Sequence, residues 1–316
     1  MRVFDQATGA PVWSEDVSRS GCADTFLTAP VVHLRRHATP AFQIDYDHDL
    51  VYAGTAHSSI TTGSGSCANA NRDNRVFAFD AATGNVEWRF NATGVQDVDV
   101  VRGMALDPSA DLLYVATDRT DSPSQQSLWA LDVLTVQVVW SANAGRLWTA
   151  PVLHKGRLYV ADLSGIFRAY DATDGSALWT LDTGIPFVLD PEIVELGTGE
   201  VLIAVPDFFG NVRVIRDDGA GATSLHWFQV PTGDPGVDSP GPDVAATSPV
   251  VADATGRALV GADDGSLYPS TSSRARWALR LPQTPRPAPS SPRWSWNHRG
   301  SSRHRQAPWR RATRAC

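Results

Sequence analysis

The sequence predicts an all-β fold, a β-propeller of four-stranded blades with about four complete blades and a partial one at each end. Three observations carry this. A hairpin pattern, A-x-D-x-x-x-G-x-x-x-W, recurs along the 316 residues. Each copy is accompanied by short strand-like runs separated by turns, with almost no helical periodicity. The tryptophans that close the pattern, at 13, 88, 140, 179 and 227, lie 75, 52, 39 and 48 residues apart. Blades run to ~40–50 residues, and a sandwich does not repeat a hairpin at that spacing. The predicted ring is incomplete against a closed propeller of about seven or eight blades.

Each fixed position has a physical reason. The copy at Val76–Phe90 carries Ala78, Asp80, Gly84 and Trp88. Another carries Ala169, Asp171, Gly175 and Trp179. Asp5, Gly9 and Trp13 form a copy with Val3 in the alanine slot, and Ala130, Asp132 and Trp140 form one with Val136 in the glycine slot. A stretched, degraded copy runs from Val214 to Trp227. The aspartate accepts backbone N–H bonds and starts the turn. The glycine supplies the positive φ that closes it. The tryptophan packs against a neighbouring unit, and the small alanine on the paired strand leaves room for such a ring.

In chain order, residues 1–14 read as the final hairpin of a blade whose earlier strands are absent. A chain that starts inside a repeat is expected to lack its true beginning, and MRVFDQATG has no signal-peptide pattern. Residues 15–268 hold the blades, with a polar insertion at 56–74. Strands are expected at 28–34, 39–44 and 49–55, before the hairpin that contains Asp80. The next units are expected at 103–142, 149–182 and 191–230. After a Gly/Pro/Asp loop at 232–243, strands restart at 247–268.

Charge divides the chain sharply. Residues 1–268 carry −18 and residues 269–316 carry +11, with no acid in the tail. The acidic body argues against a nucleic-acid partner, and no apolar run is long enough to span a membrane. Cys22 and Cys67 both lie in loop-like segments. They are either a disulfide pinning two loops in an oxidising compartment or two separate thiols.

The tail, 269–316, holds 7 Pro, 11 Arg and 4 Trp without alternation. It reads either as a disordered basic tail or as a shifted reading frame. The repeat expects Tyr-Ala-Leu-Asp after Leu267, and the chain reads Tyr268-Pro269-Ser270-Thr271-Ser272. Deleting one G from TAC GCC CTC GAC GTC converts the first into the second.

The hairpin pattern, preceded by strands such as LYVA, resembles the repeat of the quinoprotein superfamily. Its members are propellers that include pyrroloquinoline quinone (PQQ) dependent alcohol dehydrogenases and non-enzymatic relatives. In the dehydrogenases a strand ending Gly-Thr-Gly-Asn precedes an insertion with Gly-Asp-Asn. Here the strand ends Gly54-Thr55-Ala56-His57 and the insertion ends Arg72-Asp73-Asn74. The resemblance implies Asp73 at the catalytic-base position, with His57 and Asp73 beside a Ca²⁺ ion and PQQ as cofactor. An ordinary turn before a strand is the other reading of Asp73-Asn74. Two functions follow, beside a third reading of the chain as an inactive gene fragment. One is a binding or scaffold propeller taking a protein or small-molecule ligand at its loop face. The other is a PQQ- and Ca²⁺-dependent alcohol dehydrogenase. A periplasmic or extracellular parent protein is expected in either case.

Several further residues are weaker candidates. Asp45, Asp47, His48 and Asp49 read as an acidic turn, Asn91-Ala92-Thr93 matches a glycosylation sequon, and His33, His37 and His154 lack metal-ligand spacing. Sequencing the coding DNA across Tyr268 is expected to show the missing repeat in an adjacent frame. Codons that give no repeat in either other frame overturn the frame-shift reading.

Overall fold

The computed structural model describes residues 1–15, 25–34, 49–57, 75–90, 101–118, 126–195, 201–207, 211–229, 250–251, 258–261 and 267–269. The chain forms two compact units, Met1–Ala278 and Leu279–Cys316, the second wholly outside the described residues. The predicted tail beyond Pro269 therefore also lies outside them.

The described residues are all-β. A hairpin of β1 (Arg2–Phe4) and β2 (Pro11–Ser14) comes first. In blade 1, β3 (Thr25–Leu27) and β4 (Val31–His33) pair with successive parts of β5 (Leu50–His57), followed by β6 (Val76–Asp80) and β7 (Val86–Phe90). Blade 2 is β8 (Val101–Asp107), β9 (Leu112–Thr117), β10 (Leu128–Asp132) and β11 (Val138–Ala142). Blade 3 is β12 (Val152–His154), β13 (Arg157–Ala161), β14 (Ile166–Asp171) and β15 (Ala177–Asp182). Blade 4 is β16 (Glu192–Glu195), β17 (Val201–Pro206), β18 (Asn211–Asp217) and β19 (Ala222–Gln229). A three-stranded sheet of β20 (Val250–Val251), β21 (Ala258–Gly261) and β22 (Leu267–Pro269) comes last.

Every sheet is an antiparallel meander, and the first strands of successive blades touch: β4 with β8, β8 with β12, β12 with β16, and β16 with β20. The apolar cores lie between adjacent blades. Tyr52, Trp88, Leu113 and Val115 join blades 1 and 2, and Tyr114, Trp140, Leu158 and Tyr170 join blades 2 and 3. This is the side-by-side blade packing of a propeller, and the sheets do not close into a ring among the described residues.

The repeat residues act as the pattern requires. Asp5, Asp80 and Asp132 each accept the backbone N–H groups two and three residues on through Oδ1, and Asp171 accepts that of Thr173. Gly9, Gly84 and Gly175 sit at φ of 69°, 78° and 74°. The indole of Trp13 covers Gly84 and donates Nε1–H to the Ala81 carbonyl at 2.8 Å. Trp140 covers Gly175 and donates to the Ala172 carbonyl at 3.0 Å. Each tryptophan thus bolts its hairpin to the turn of the following blade. Tyr114 donates to the same Ala172 carbonyl. Burial, then the charges of Asp107 and Asp171, push its phenol up to about 12, so it stays a donor.

Two copies depart from this scheme. Val136 occupies the glycine slot of blade 2 at a φ of 58°, a left-handed conformation that a β-branched residue adopts only under strain. Trp88 packs against that turn, yet its buried Nε1 has no hydrogen-bond partner. In blade 4, the alanine register position pairs Val214 with His226, and Trp227 pairs with Arg213. In the other copies Val3, Ala78, Ala130 and Ala169 pair with Trp13, Trp88, Trp140 and Trp179. The backbone of Trp227 is therefore one position out of register with the other copies.

Val136→Gly is expected to stabilise the chain by about 1 kcal/mol in urea unfolding, through relief of backbone strain and a restored indole hydrogen bond. Slower hydrogen exchange at Trp88 Nε1 is the accompanying signature. A loss of stability overturns this account.

Candidate functional site

Antiparallel pairing brings three segments to one end of blade 2: the start of β8, the end of β9 and the connection from β11 to β12. Val101 pairs with Thr117 and Gly103 with Ala116, so Arg102 is the extra residue of a β-bulge. Bulges re-aim side chains and recur beside functional sites. The connection from Ala144 to Thr149 is held at several points. Ala144 N–H donates to Ser127 Oγ, and the Ala144 carbonyl accepts Arg168 Nη1. The Arg146 carbonyl accepts Leu163 N–H, and Thr149 Oγ1 donates to the Ala161 carbonyl. Leu147 is fully buried and bridges to Asp162. Its two neighbours, Arg146 and Trp148, consequently point outward.

These segments meet on Asp118, whose carboxylate is 2% exposed. It accepts Arg146 Nε at 2.9 Å and Nη2 at 3.2 Å, Arg102 Nη2 at 3.0 Å and Trp148 Nε1 at 2.6 Å. The Arg102 guanidinium carbon lies 4.3 Å from the Trp148 ring centroid, in cation–π geometry. Trp148 is 38% exposed and Arg146 44% exposed. Among the described residues, two guanidiniums on one buried carboxylate leave a local charge of +1, beside an indole fixed by its own N–H.

The same end of the other blades uses acids differently. Asp162 and Asp207 are buried, and each accepts an arginine of its own sheet, Arg168 and Arg213 respectively. These pairs brace the hairpin between the second and third strands. Asp190, in the connection that enters β16, accepts Ala150 N–H. Burial pushes the Asp190 carboxyl above its ordinary value, and Glu192 is pushed up by the same cause.

At the opposite end, His33 closes β4, where its Nδ1 shares a hydrogen bond with the Tyr52 hydroxyl and its Nε2 lies 4.0 Å from Asp111. His154 and Lys155 pair with Glu195 of blade 4. The Lys155 hydrogen bond holds the Glu195 carboxyl below its ordinary range.

Of the residues predicted from sequence, Asp73, Cys22, Cys67, Asp45, Asp47, His48, His37 and the Asn91–Thr93 sequon lie outside the described residues. His57 is the last residue of β5, its backbone paired with Thr25. Its imidazole does not fit Ca²⁺, a hard cation that takes oxygen donors. No step through a metal-bound quinone follows from this donor set. Sequence reasoning missed Arg102, Asp118, Arg146 and Trp148. A signal was present: GRLWTAP places an arginine and a tryptophan on either side of a leucine before TAP, which also occurs at 28–30.

Asp190→Asn keeps the acceptor for Ala150 and removes a carboxylate that burial disfavours. A raised carboxyl contributes its stability below the ordinary 3.8 and loses it as pH rises through the raised value. The variant is expected to gain up to about 1 kcal/mol at neutral pH and nothing below pH 3.8. Urea unfolding at both pH values checks this, and an equal gain at the two overturns the charge argument.

A polyvinylalcohol dehydrogenase from Sphingopyxis sp. (strain 113P3) is 26% identical over 164 residues, 48% of this chain and 23% of that relative. The BamB structure from Moraxella catarrhalis aligns with a TM-score of 0.47 and 17% identity, covering 64% of this chain and 57% of that one. A quinohemoprotein alcohol dehydrogenase from Pseudomonas putida HK5 aligns with a TM-score of 0.43 and 15% identity, covering 72% and 39%. The chain thus spans less than two thirds of the length of these relatives. The family match is far more extensive, over residues 1–180 and 72–289. The chain belongs to the PQQ-like repeat family described as outer membrane protein assembly factor BamB.

Proposed function

We propose that this propeller is a binding or scaffold domain whose partner docks on the loop face, and that it performs no chemistry of its own. The observation that carries this is the cluster at the end of blade 2. It presents two guanidiniums and an indole, groups that recognise and do not move protons, because arginine stays protonated in proteins. The aspartates of the repeat support the same reading. Asp80, Asp132 and Asp171 accept turn amides, and Asp162 and Asp207 are engaged by arginines.

The family description names an assembly factor of the outer membrane, which supports a protein partner and a periplasmic or extracellular parent protein. Among the described residues no helix is long and apolar enough to cross a membrane. The dehydrogenase relative supports a second reading, in which Asp73 is the base of a PQQ- and Ca²⁺-dependent alcohol oxidation.

A reconstitution assay separates the two. The protein is incubated with PQQ and Ca²⁺, and dye reduction is followed with primary alcohols and with polyvinyl alcohol. The expected result is no quinone-dependent turnover. Turnover that disappears in Asp73→Ala overturns the scaffold reading.

A further inference from the structure

We infer that Arg102, Arg146 and Trp148 form a preorganised receptor for a single carboxylate on an acidic peptide segment, presented next to an apolar side chain. This rests on the binding-domain reading above and names the chemistry of the partner.

Four observations converge on it. First, the donor capacity of the cluster exceeds what Asp118 takes. Arg102 uses Nη2 and Arg146 uses Nε and Nη2 on the carboxylate. Neither Arg102 Nη1 nor Arg146 Nη1 donates to Asp118, and a guanidinium offers five donors in a rigid fork. Second, the charges do not cancel. Among the described residues, two guanidiniums against one carboxylate leave +1 inside a body, residues 1–268, that carries −18. One further carboxylate balances the cluster, whereas a phosphate dianion overcharges it.

Third, the arrangement is rigid before any ligand arrives. Asp118 fixes both arginines and the indole N–H, Arg102 stacks on the Trp148 face, and Leu147 anchors the connection from below. Such preorganisation lowers the entropic cost of binding. Fourth, the cluster is not required by the repeat. The equivalent connection of blade 3 buries Phe187, which bridges to Asp207 as Leu147 bridges to Asp162. The flanking positions there are Pro186 and Val188, where blade 2 has Arg146 and Trp148. The exposed indole adds an apolar flank, so a glutamate beside an aromatic or aliphatic residue fits better than a free carboxylate ion.

The test uses the full chain and a defined probe, the capped tripeptide acetyl-Phe-Glu-Gly-amide. Its glutamine counterpart, sodium acetate and inorganic phosphate are titrated in parallel by calorimetry at low ionic strength. The glutamate peptide is expected to bind with a Kd on the order of 0.1–1 mM, with the glutamine peptide about tenfold weaker or undetectable. Acetate is expected to bind more weakly than the peptide, which separates a free carboxylate from one on a peptide. Arg146→Gln and Trp148→Ala should each weaken the glutamate peptide about fivefold or more.

If Arg146→Gln loses its cooperative unfolding transition, Arg146→Lys takes its place. That variant keeps the charge but not the fork, and a measurable loss of affinity is again expected. Equal affinity for the two peptides, unchanged affinity in the folded variants, or tighter binding of phosphate than of the glutamate peptide overturns the assignment. No quinone enters this measurement. A positive result in the dehydrogenase assay and a negative one here therefore remain distinguishable.

Discussion

The docking of one hairpin's tryptophan on the turn of the next blade is the contact on which the architecture depends. In its complete form, the dock meets two conditions at that turn. A residue sits at positive φ without a Cβ, and a backbone carbonyl faces the ring N–H. The Asp–Gly pair meets both. A Cβ built at Gly84 or Gly175 would lie 2.5 Å from the indole of Trp13 or Trp140, so the ring occupies the space that glycine vacates. Burying an indole withdraws on the order of 200 Å² from water, roughly 5 kcal/mol before entropic costs. The Nε1 hydrogen bond adds only about 1 kcal/mol. Burial therefore dominates, which explains how Trp88 remains 8% exposed over a valine turn although its N–H finds no acceptor.

Between blades 3 and 4 the same demand is met by different chemistry. The degraded hairpin of blade 4 supplies a side chain, Asp217, in place of a turn carbonyl. It accepts Trp179 Nε1, the Tyr159 hydroxyl, Arg157 and the Gly219 amide. Burial pushes this carboxyl up, but hydrogen bonds from Tyr159, Gly219 and Arg157, with the arginine charge, outweigh it and hold it below the ordinary 3.8. Such a group stabilises the fold above 3.8, and the contribution is lost as pH falls through the lowered value. The carbonyl acceptors at Ala81 and Ala172 do not titrate. The junctions are thus chemically unequal although geometrically alike, and the one between blades 3 and 4 is the more sensitive to acid.

The fold was legible in the sequence because its determinants are local. Asp80, Gly84 and Trp88 lie within one hairpin, and the same local chemistry recurs at each copy. Legibility failed where a pattern match and a register differ by one residue. Trp227 completes a motif on paper, yet the backbone pairing puts His226, one residue earlier, opposite the alanine slot. The cluster around Asp118 was illegible for another reason. Arg102, Asp118, Arg146 and Trp148 come from three segments that only antiparallel pairing brings together. Arg102 reaches the carboxylate only because a bulge adds a residue to β8. Spacing along the chain carries no trace of that rotation.

A repeat fold sorts its residues into those that every blade must have and those that one blade can vary. Leu147 and Phe187 belong to the first set, since each closes the blade edge by bridging to an aspartate of the adjoining blade. The residues flanking them belong to the second, because they point away from that bridge. Blade 3 fills those positions with Pro186 and Val188, and blade 2 fills them with Arg146 and Trp148. Charge and an exposed ring at such positions are not consequences of the architecture. Their organisation around a buried carboxylate also opposes the usual scatter of surface side chains, for which ordering carries an entropic penalty. Asp118 meets that penalty within the free protein, by holding both guanidiniums and the indole N–H in one geometry. The part of the propeller that the repeat leaves unspecified is therefore also the part held most deliberately in place, and that combination separates a recognition surface from a solvated edge.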